Sequence, residues 1–205
     1  MTVPVALLRH GRTGWNESGR IQGRTDVGLS AAGRAALERV VLPAALARFD
    51  WYVTPLARTA ETAEALGIAP VGVEPRLVEL DWGDWEGSTR DALGARLGAA
   101  FHAMGRRGLD FRPANGESSR ELRARLIDWL GEVGTRGRPV GAVTHKGVIQ
   151  MALALATGWD LVARRPHRLR WECAHLFAFD AQAGTLAIEQ LNIEPAPRAP
   201  RGGGS

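Results

Sequence analysis

Continuous apolar runs recur along the chain and predict the strands of a sheet. Val3–Leu8 and Val140–Thr144 are apolar without alternation, which is typical of strands covered on both faces. Asp50–Thr54 predicts a second strand in chain order, and the segment "VGVEPRLVEL" predicts a third strand or two short ones. The last two runs, "AHLFAFD" and "TLAIEQL", alternate around Ala183–Gly184 and predict an antiparallel hairpin.

Amphipathic segments lie between these runs and predict helices. Residues 26–46 repeat Ala, Leu and Val on one face, with Ser30 as the expected N-cap. The segment "ARTAETAEALG" predicts a helix that ends at Gly67. Ser118 and Glu121 form a capping box at the start of "SSRELRARLIDWLGEV", and "GVIQMALALATG" predicts one more helix.

The alternation of strands and helices predicts an α/β fold. We expect a three-layer sandwich with a mostly parallel central sheet flanked by helices and an antiparallel edge hairpin. The pattern weakens over residues 81–115, where one helix near Arg90–Met104 is expected within a small cap over a site. Residues 1–193 are predicted to form a single domain, and the Pro/Gly-rich residues 194–205 a disordered tail.

Composition narrows the class of protein and of partner. The net charge is +4, but the cations are spread along the chain without interleaved aromatic residues, so a nucleic-acid groove is not expected and small anionic substrates fit the charge. One cysteine, Cys173, excludes an internal disulfide and suggests a reducing compartment. No apolar stretch has the length of a membrane span or a signal-peptide core, so we expect a cytoplasmic protein with no membrane partner. The sequence does not indicate an oligomeric state.

Two histidines follow buried strands directly. Arg9–His10 comes at the end of the first run, and Thr144–His145 ends a later one. Since ligands bind beyond the carboxyl ends of the strands in such sheets, both histidines are expected to reach one crevice.

The chemistry that fits these residues is phosphoryl transfer through histidine. His10 is the candidate nucleophile, and Arg9 lies beside it. Arg58 and His145 are each placed at a helix N-terminus, which favours an anion. Glu79, predicted at the end of the third strand, is the candidate proton donor to the leaving group, since nearby aromatic residues could raise its pKa.

Six segments in order make the chain resemble a known family, the histidine phosphatase superfamily. The resemblance is to the branch that contains cofactor-dependent phosphoglycerate mutase and small bacterial phosphatases such as alpha-ribazole phosphatase. The segments are "RHGRTGWN", "IQGRTDVGLSAAG", "TPLARTAETAEAL", "LVELDWGDWEG", "PANGES" and "VTHKGVI".

The resemblance implies a role for each matching residue. His10 would be phosphorylated, and Glu79 would first protonate the leaving group and then activate water. The transferred phosphate would be held by Arg9, Arg58, His145 and Asn16. The substrate side would be lined by Thr13, Gln22 and Gly23. No metal ion and no cofactor are expected.

Two residues depart from the family pattern. Lys146 follows the second histidine where glycine is usual, and Thr54 stands where serine is commoner. The threonine keeps the hydroxyl group. Lys146 either turns towards the crevice, where it could bind an anionic group of the substrate, or turns away as a solvated cation.

The favoured function is hydrolysis of a small phosphorylated metabolite by a metal-independent phosphomonoesterase. Mutase-type transfer is the alternative, although "LVELDWGDWEG" is more similar to the phosphatases. A non-catalytic phosphate-binding module is a third possibility. Arg106 and Arg107 are either cap cations that reach the substrate or part of a solvated loop. The sequence does not identify the physiological substrate.

Overall fold

The computed structural model describes residues 2–199. Its strands are β1 (Thr2–Arg9), β2 (Val40–Val41), β3 (Asp50–Val53), β4 (Gly72–Val73), β5 (Val140–Thr144), β6 (Ala174–Asp180), β7 (Thr185–Ile193) and β8 (Ala196–Pro197). Its α-helices are α1 (Gly14–Glu17), α2 (Ala31–Glu38), α3 (Ala57–Leu66), α4 (Arg90–Leu97), α5 (Ala99–Gly105), α6 (Ser119–Arg136) and α7 (Lys146–Thr157).

Six strands form one mostly parallel sheet in the order β4-β3-β5-β1-β6-β7. The pairs among β4, β3, β5 and β1 are parallel, whereas β6 and β7 add an antiparallel edge. Helices cover both faces. Val5 and Leu7 of β1 pack on the α6 and α7 side, and Ala6 and Leu8 pack in a second cluster with residues of α3. The predicted three-layer sandwich and edge hairpin are therefore confirmed.

Several predicted helix ends are confirmed by their caps. Ser30 accepts a hydrogen bond from the Gly33 N–H, and the capping box of Ser118 and Glu121 starts α6. Gly67 ends α3 in the left-handed region, with φ 74°.

The predicted helix over residues 26–46 is wrong in its second half. The helix ends at Glu38, and the β-branched pair Val40–Val41 forms β2 instead. Pro43 lies just before a 3-10 turn, Ala44–Leu46, and its missing N–H and fixed ring do not suit the interior of an α-helix.

The third predicted strand is also shorter than expected. It spans Gly72–Val73 only, because Pro75 has no N–H for a ladder and opens a 3-10 turn, Pro75–Leu77. Glu79 therefore lies in an irregular segment after this turn, not at the end of a strand.

The cap contains two helices where one was predicted. α4 and α5 meet at Gly98, whose φ of 55° and ψ of −130° break the helix in a conformation suited to glycine.

The prediction of disorder from residue 194 is wrong for residues 194–199. Ala196–Pro197 pairs with Val40–Val41, and the Arg198 guanidinium donates to the carbonyl oxygens of Val40 and Ala65. The rest of the predicted tail, 200–205, lies outside the described residues. The assignment of residues 1–193 to a single domain stays a prediction.

Candidate active site

The two histidines meet at the carboxyl ends of two neighbouring parallel strands. Arg9 is paired with Thr144 in the β1–β5 register, so His10 and His145 each lie one residue beyond the same point of the sheet. Their ring centroids are 5.2 Å apart. The structure thus brings together the two residues that the sequence placed at one crevice.

Hydrogen bonds of the backbone and of the ring fix His10. Its N–H donates to the Thr144 carbonyl at 2.9 Å, and the next N–H, of Gly11, donates to Thr62 Oγ1 at 2.9 Å. The ring Nδ1 lies 2.7 Å from the Gly11 carbonyl oxygen. Since a carbonyl oxygen only accepts, Nδ1 carries the proton and Nε2 keeps its lone pair.

The surroundings of His10 favour the neutral ring. Burial lowers its pKa well below 6.5, and the charges of Arg9 and Arg58 lower it further. A neutral imidazole with a free Nε2 is the form that can act as a nucleophile.

Arg58 is fully buried and aimed by two carbonyl oxygens. Its Nη1 donates to the Thr25 carbonyl at 3.1 Å, and its Nη2 donates to the Gly23 carbonyl at 2.7 Å. The Nε–H groups of Arg58 and Arg9 are both buried and have no acceptor within residues 2–199. Buried guanidinium donors without acceptors are suited to bind an anion.

His145 is fully buried at the N-cap position of α7. Its Nε2 lies 2.9 Å from Thr54 Oγ1, so the threonine hydroxyl takes part in the site. Its Nδ1 is buried and has no partner among the described residues. Burial and then the charge of His10 lower the pKa of His145 well below 6.5.

Glu79 is held by backbone N–H groups from two parts of the chain. Leu80 N donates to Oε1 at 2.8 Å, and Gly147 N lies 3.1 Å from each carboxylate oxygen. Burial raises the pKa of Glu79, while these N–H groups and the charges of Arg58 and Arg9 act in the opposite direction. A carboxyl group with a raised pKa is suited to donate a proton.

Gly147 and Glu86 are contributors that sequence analysis did not identify. A Cβ on Gly147 would lie 2.2 Å from Glu79 Oε1, so only glycine lets the carboxyl group come this close. Glu86 accepts from the N–H groups of Arg24 and Thr25, at 2.7 and 2.8 Å, and so holds the loop whose carbonyl oxygens aim Arg58. The sequence alone does not predict that a glycine is needed for such a close approach, because the residue that approaches it is many positions away in the sequence.

The residues expected on the substrate side form one hydrogen-bonded network. Thr13 Oγ1 donates to Gln22 Oε1 at 2.8 Å, and Asn16 Nδ2 lies 3.3 Å from the same oxygen. Gly23 is linked to Arg58, since its carbonyl oxygen accepts from the guanidinium group at 2.7 Å. These residues are brought together with one another, and their roles towards a substrate stay predictions.

Lys146 contacts an aromatic ring, whereas the two cap arginines are exposed to solvent. Lys146 Nζ lies 5.3 Å from the centroid of the Trp171 ring, the ring that Arg9 also approaches. Arg106 and Arg107 are exposed at the end of α5.

A cavity of about 370 Å³ lies beneath the cap, and its lining includes Leu80, the residue that follows Glu79. Gly147 lines this cavity and also donates its N–H to the Glu79 carboxylate. The aromatic residues that line it are Trp82, Trp85, Phe101, Phe111 and Trp159. A second, larger cavity of about 560 Å³ reaches His10 from the side of α2 and has mostly apolar walls.

None of the helices within residues 2–199 is long and apolar enough to cross a membrane. The same residues contain no group of three or more His, Cys, Asp or Glu side chains that could hold a metal ion.

Comparisons with known proteins agree in the family they indicate. The family model described as "Histidine phosphatase superfamily (branch 1)" matches residues 5–194. A glucosyl-3-phosphoglycerate phosphatase of Mycolicibacterium vanbaalenii is 33% identical over 174 residues, which cover 75% of this chain and 74% of the relative. A probable phosphoglycerate mutase, GpmB, of Cronobacter sakazakii is 31% identical over 175 residues and 82% of this chain, or 81% of its own length. The structure of the alpha-ribazole phosphatase of Shigella flexneri has the same fold, with a TM-score of 0.78, 21% identity and coverage of 97% of this chain and all of that one.

Proposed function

The chain belongs to the histidine phosphatase superfamily, and on that premise we propose that it hydrolyses a phosphomonoester of a small metabolite through a phosphohistidine at His10. The observation that carries this proposal is the state of His10. Its proton is held at Nδ1 by the Gly11 carbonyl, and its pKa is lowered, so Nε2 is free to attack. Arg9 and Arg58 lie close enough for their charges to act on the same ring.

In the first step His10 Nε2 attacks phosphorus, a P–N bond forms and the P–O bond to the leaving group breaks. The proton on Glu79 moves to the leaving oxygen, so the alcohol leaves neutral. In the second step the Glu79 carboxylate takes a proton from water as the water oxygen attacks phosphorus. The P–N bond then breaks, which regenerates Nε2 and releases inorganic phosphate.

The charge of the reacting phosphoryl group is met by the surrounding side chains. Arg9 and Arg58 supply two guanidinium groups whose buried Nε–H donors have no acceptor among residues 2–199. When the Thr54 hydroxyl group donates a hydrogen bond to His145 Nε2, the ring proton of the neutral histidine lies on Nδ1. This Nδ1–H then becomes a further donor. We propose that these fixed donors replace the charge of a metal ion, and that Asn16 also faces the phosphate.

The leaving group is expected to extend towards the cavity beneath the cap. Glu79 has to lie next to the leaving oxygen, and the cavity begins at Gly147, which holds the Glu79 carboxyl group. In this arrangement Thr13, Gln22 and Gly23 line the substrate on the side of α1.

Mutase-type transfer is the second candidate, because a relative of comparable similarity carries the name of a probable phosphoglycerate mutase. In that reaction the phosphohistidine would return its phosphoryl group to a second hydroxyl group instead of water. The first step and the role of His10 are the same in both reactions.

The test is to trap the phosphoenzyme. The wild-type protein, His10→Ala and the matched control His167→Ala, an exposed histidine, are mixed with labelled substrate and quenched in alkali, where phosphohistidine is stable. We expect label in the wild type and His167→Ala and none in His10→Ala, with turnover unaffected by chelators.

Each other outcome points to a different function. Label on another residue would contradict the assignment of His10. Interconversion of phosphoglycerates that is accelerated by a bisphosphoglycerate would identify a mutase. Binding of phosphate without label or turnover would identify a non-catalytic module.

A further inference from the structure

Three cations surround one indole ring at the edge of the proposed phosphate pocket. The distances to the centroid of the Trp171 ring are 5.9 Å from Arg9 Cζ, 5.3 Å from Lys146 Nζ and 5.5 Å from Arg165 Cζ. We call Lys146, Arg165 and Trp171 the rim cluster. Since Arg9 belongs to the phosphate pocket and touches the same ring, the rim cluster begins where that pocket ends.

The cations of the rim cluster are not neutralised by the protein. Across residues 2–199, no carboxylate forms an ion pair with Arg9, Lys146 or Arg165. Burial lowers the pKa of Lys146, the charges of Arg9, Arg90 and Arg165 lower it further, and the charge of Glu79 acts against them. Cations this close repel one another, so their grouping costs folding free energy unless an anion binds there.

A buried histidine, His175, lies close enough to Arg165 for the two to interact. His175 pairs with Leu7 across β1 and β6, so its side chain shares the sheet face of Leu7 and Arg9. Its Nδ1 accepts the Asn192 N–H at 3.3 Å, which leaves the ring proton on Nε2. Burial lowers the pKa of His175 to about 4, a hydrogen bond with the Arg170 backbone acts against this, and the charge of Arg165 lowers it further.

The positive charges of the rim cluster exceed those needed to balance the transferred phosphate. A phosphomonoester carries close to two negative charges at neutral pH. Arg9 and Arg58 already match that charge. Lys146 and Arg165 are therefore in excess of what the transferred phosphate needs.

We propose that Lys146 and Arg165, packed on Trp171, form a second anion subsite that binds a carboxylate or a second phosphate on the leaving group. The proposal rests on the proposed function and deepens it, because it restricts the substrates to small metabolites with two anionic groups. For Lys146, whose exposed side chain reaches the Trp171 ring, the proposal takes the orientation towards the crevice, since Trp171 and His10 line the same cavity. Arg165 Nε–H donates to the His167 carbonyl at 2.8 Å, but no carboxylate within residues 2–199 pairs with Arg165 or Lys146, and an anion bound there would supply that negative charge.

The test compares matched substrates that differ in the second anion. One pair is 3-phosphoglycerate and glycerol 3-phosphate, and the other is fructose 1,6-bisphosphate and fructose 6-phosphate. For each pair the ratio of kcat/KM, doubly anionic over singly anionic, is measured in the wild type, Lys146→Met and Arg165→Met. The control is Arg164→Met, an exposed neighbour of Arg165.

We expect a ratio above one in the wild type for at least one pair, and a fall of about tenfold in that ratio in Lys146→Met and in Arg165→Met. The change should lie mainly in KM, and Arg164→Met should keep the wild-type ratio. The pair that responds identifies the second anion as a carboxylate or a phosphate.

Three results would overturn the subsite. They are no preference for either doubly anionic substrate in the wild type, equal losses for both members of a pair in the variants, and ratios that do not change. If the wild type hydrolyses none of the four compounds, their dissociation constants in the same proteins are compared by calorimetry. A selective loss of affinity for the doubly anionic member then supports the subsite although the proposed hydrolysis has failed, and no selective loss rejects it.

Discussion

The proposed phosphate pocket, formed by Arg9, His10, Arg58 and His145, lies on the most regular part of the molecule, and the cap beside it is the least regular part. All five residues of β5 are buried, and the chain leaves this strand directly into His145. In the cap, α5 buries none of its residues and α4 buries only Leu93. Aromatic contacts hold the cap instead, with the ring centroid of Trp85 lying 5.3 Å from that of Phe101 and 5.6 Å from that of Phe111.

From this difference we expect the regular part to hold the reacting groups, and the cap to add to the substrate selection that we propose for the rim cluster. The reacting groups need fixed positions, and strands joined by backbone hydrogen bonds provide them. A cavity wall made of side chains on short helices can change without moving those groups. Substitutions in the pocket should therefore change the chemical step, and substitutions in the cap should change substrate preference.

The substitution Glu79→Gln tests the chemical role of the pocket, and we expect the largest effect from it. The amide side chain has the same shape as the carboxyl group, and its oxygen can still accept a hydrogen bond from the Gly147 N–H. It has no acidic proton to transfer to the leaving oxygen. Turnover of alkyl phosphates should fall by about 10²–10⁴-fold, whereas aryl phosphates, whose leaving groups need less protonation, should lose much less. The control is Asp84→Asn, an exposed carboxylate in the same segment, which should retain activity. Equal losses for both substrate classes would mean that Glu79 only positions the substrate.

The pH dependence of kcat/KM tests the electrostatics of the pocket. Burial raises the pKa of Glu79 and lowers that of His10, so the folded protein favours the protonated acid and the neutral nucleophile. As the pH rises through the Glu79 pKa, above 4.5, activity on alkyl phosphates should fall up to tenfold per unit. As the pH falls through the His10 pKa, well below 6.5, activity should fall with the same slope. A rising-pH limb that remains in Glu79→Gln would assign that limb to another group.

The smallest expected effect belongs to the cap. Phe101→Ala removes a ring from the wall of the 370 Å³ cavity without touching the phosphate pocket. We expect kcat/KM for a large apolar substrate such as naphthyl phosphate to fall by a few-fold, through loss of apolar contact, with Phe101→Leu as the milder control. The inhibition constant of inorganic phosphate should not change. A change in that constant would show that the cap also shapes the phosphate pocket.

The same contrast explains which features could be predicted from the sequence. Arg9, His10 and His145 follow apolar runs, and in a parallel sheet the ends of such runs must lie together. Ser30 and Gly67 are local cap signals, and both are found where expected. These predictions succeeded because the information lies within a few residues of the feature.

Features that depend on distant partners could not be predicted. The Glu79 carboxyl group is fixed by Gly147, a residue 68 positions away. Strands β2 and β8 have two residues each, too few to show a hydrophobic period, and they pair segments that lie far apart in the sequence. Arg165 lies in "ARRPHRLRW", a run that composition alone assigns to solvent, yet it packs on Trp171.

Because the chain has a single lysine, the rim cluster can be modified selectively by amine reagents. The sequence has 26 lysine and arginine residues, and Lys146 is the one lysine. Amine reagents leave guanidinium groups unmodified, and the lowered pKa of Lys146 increases the fraction of its reactive free amine. Apart from the N-terminus, an acyl or fluorescent label would thus attach at one position beside Trp171, without mutagenesis. The rate of that labelling reports directly on whether an anion occupies the rim.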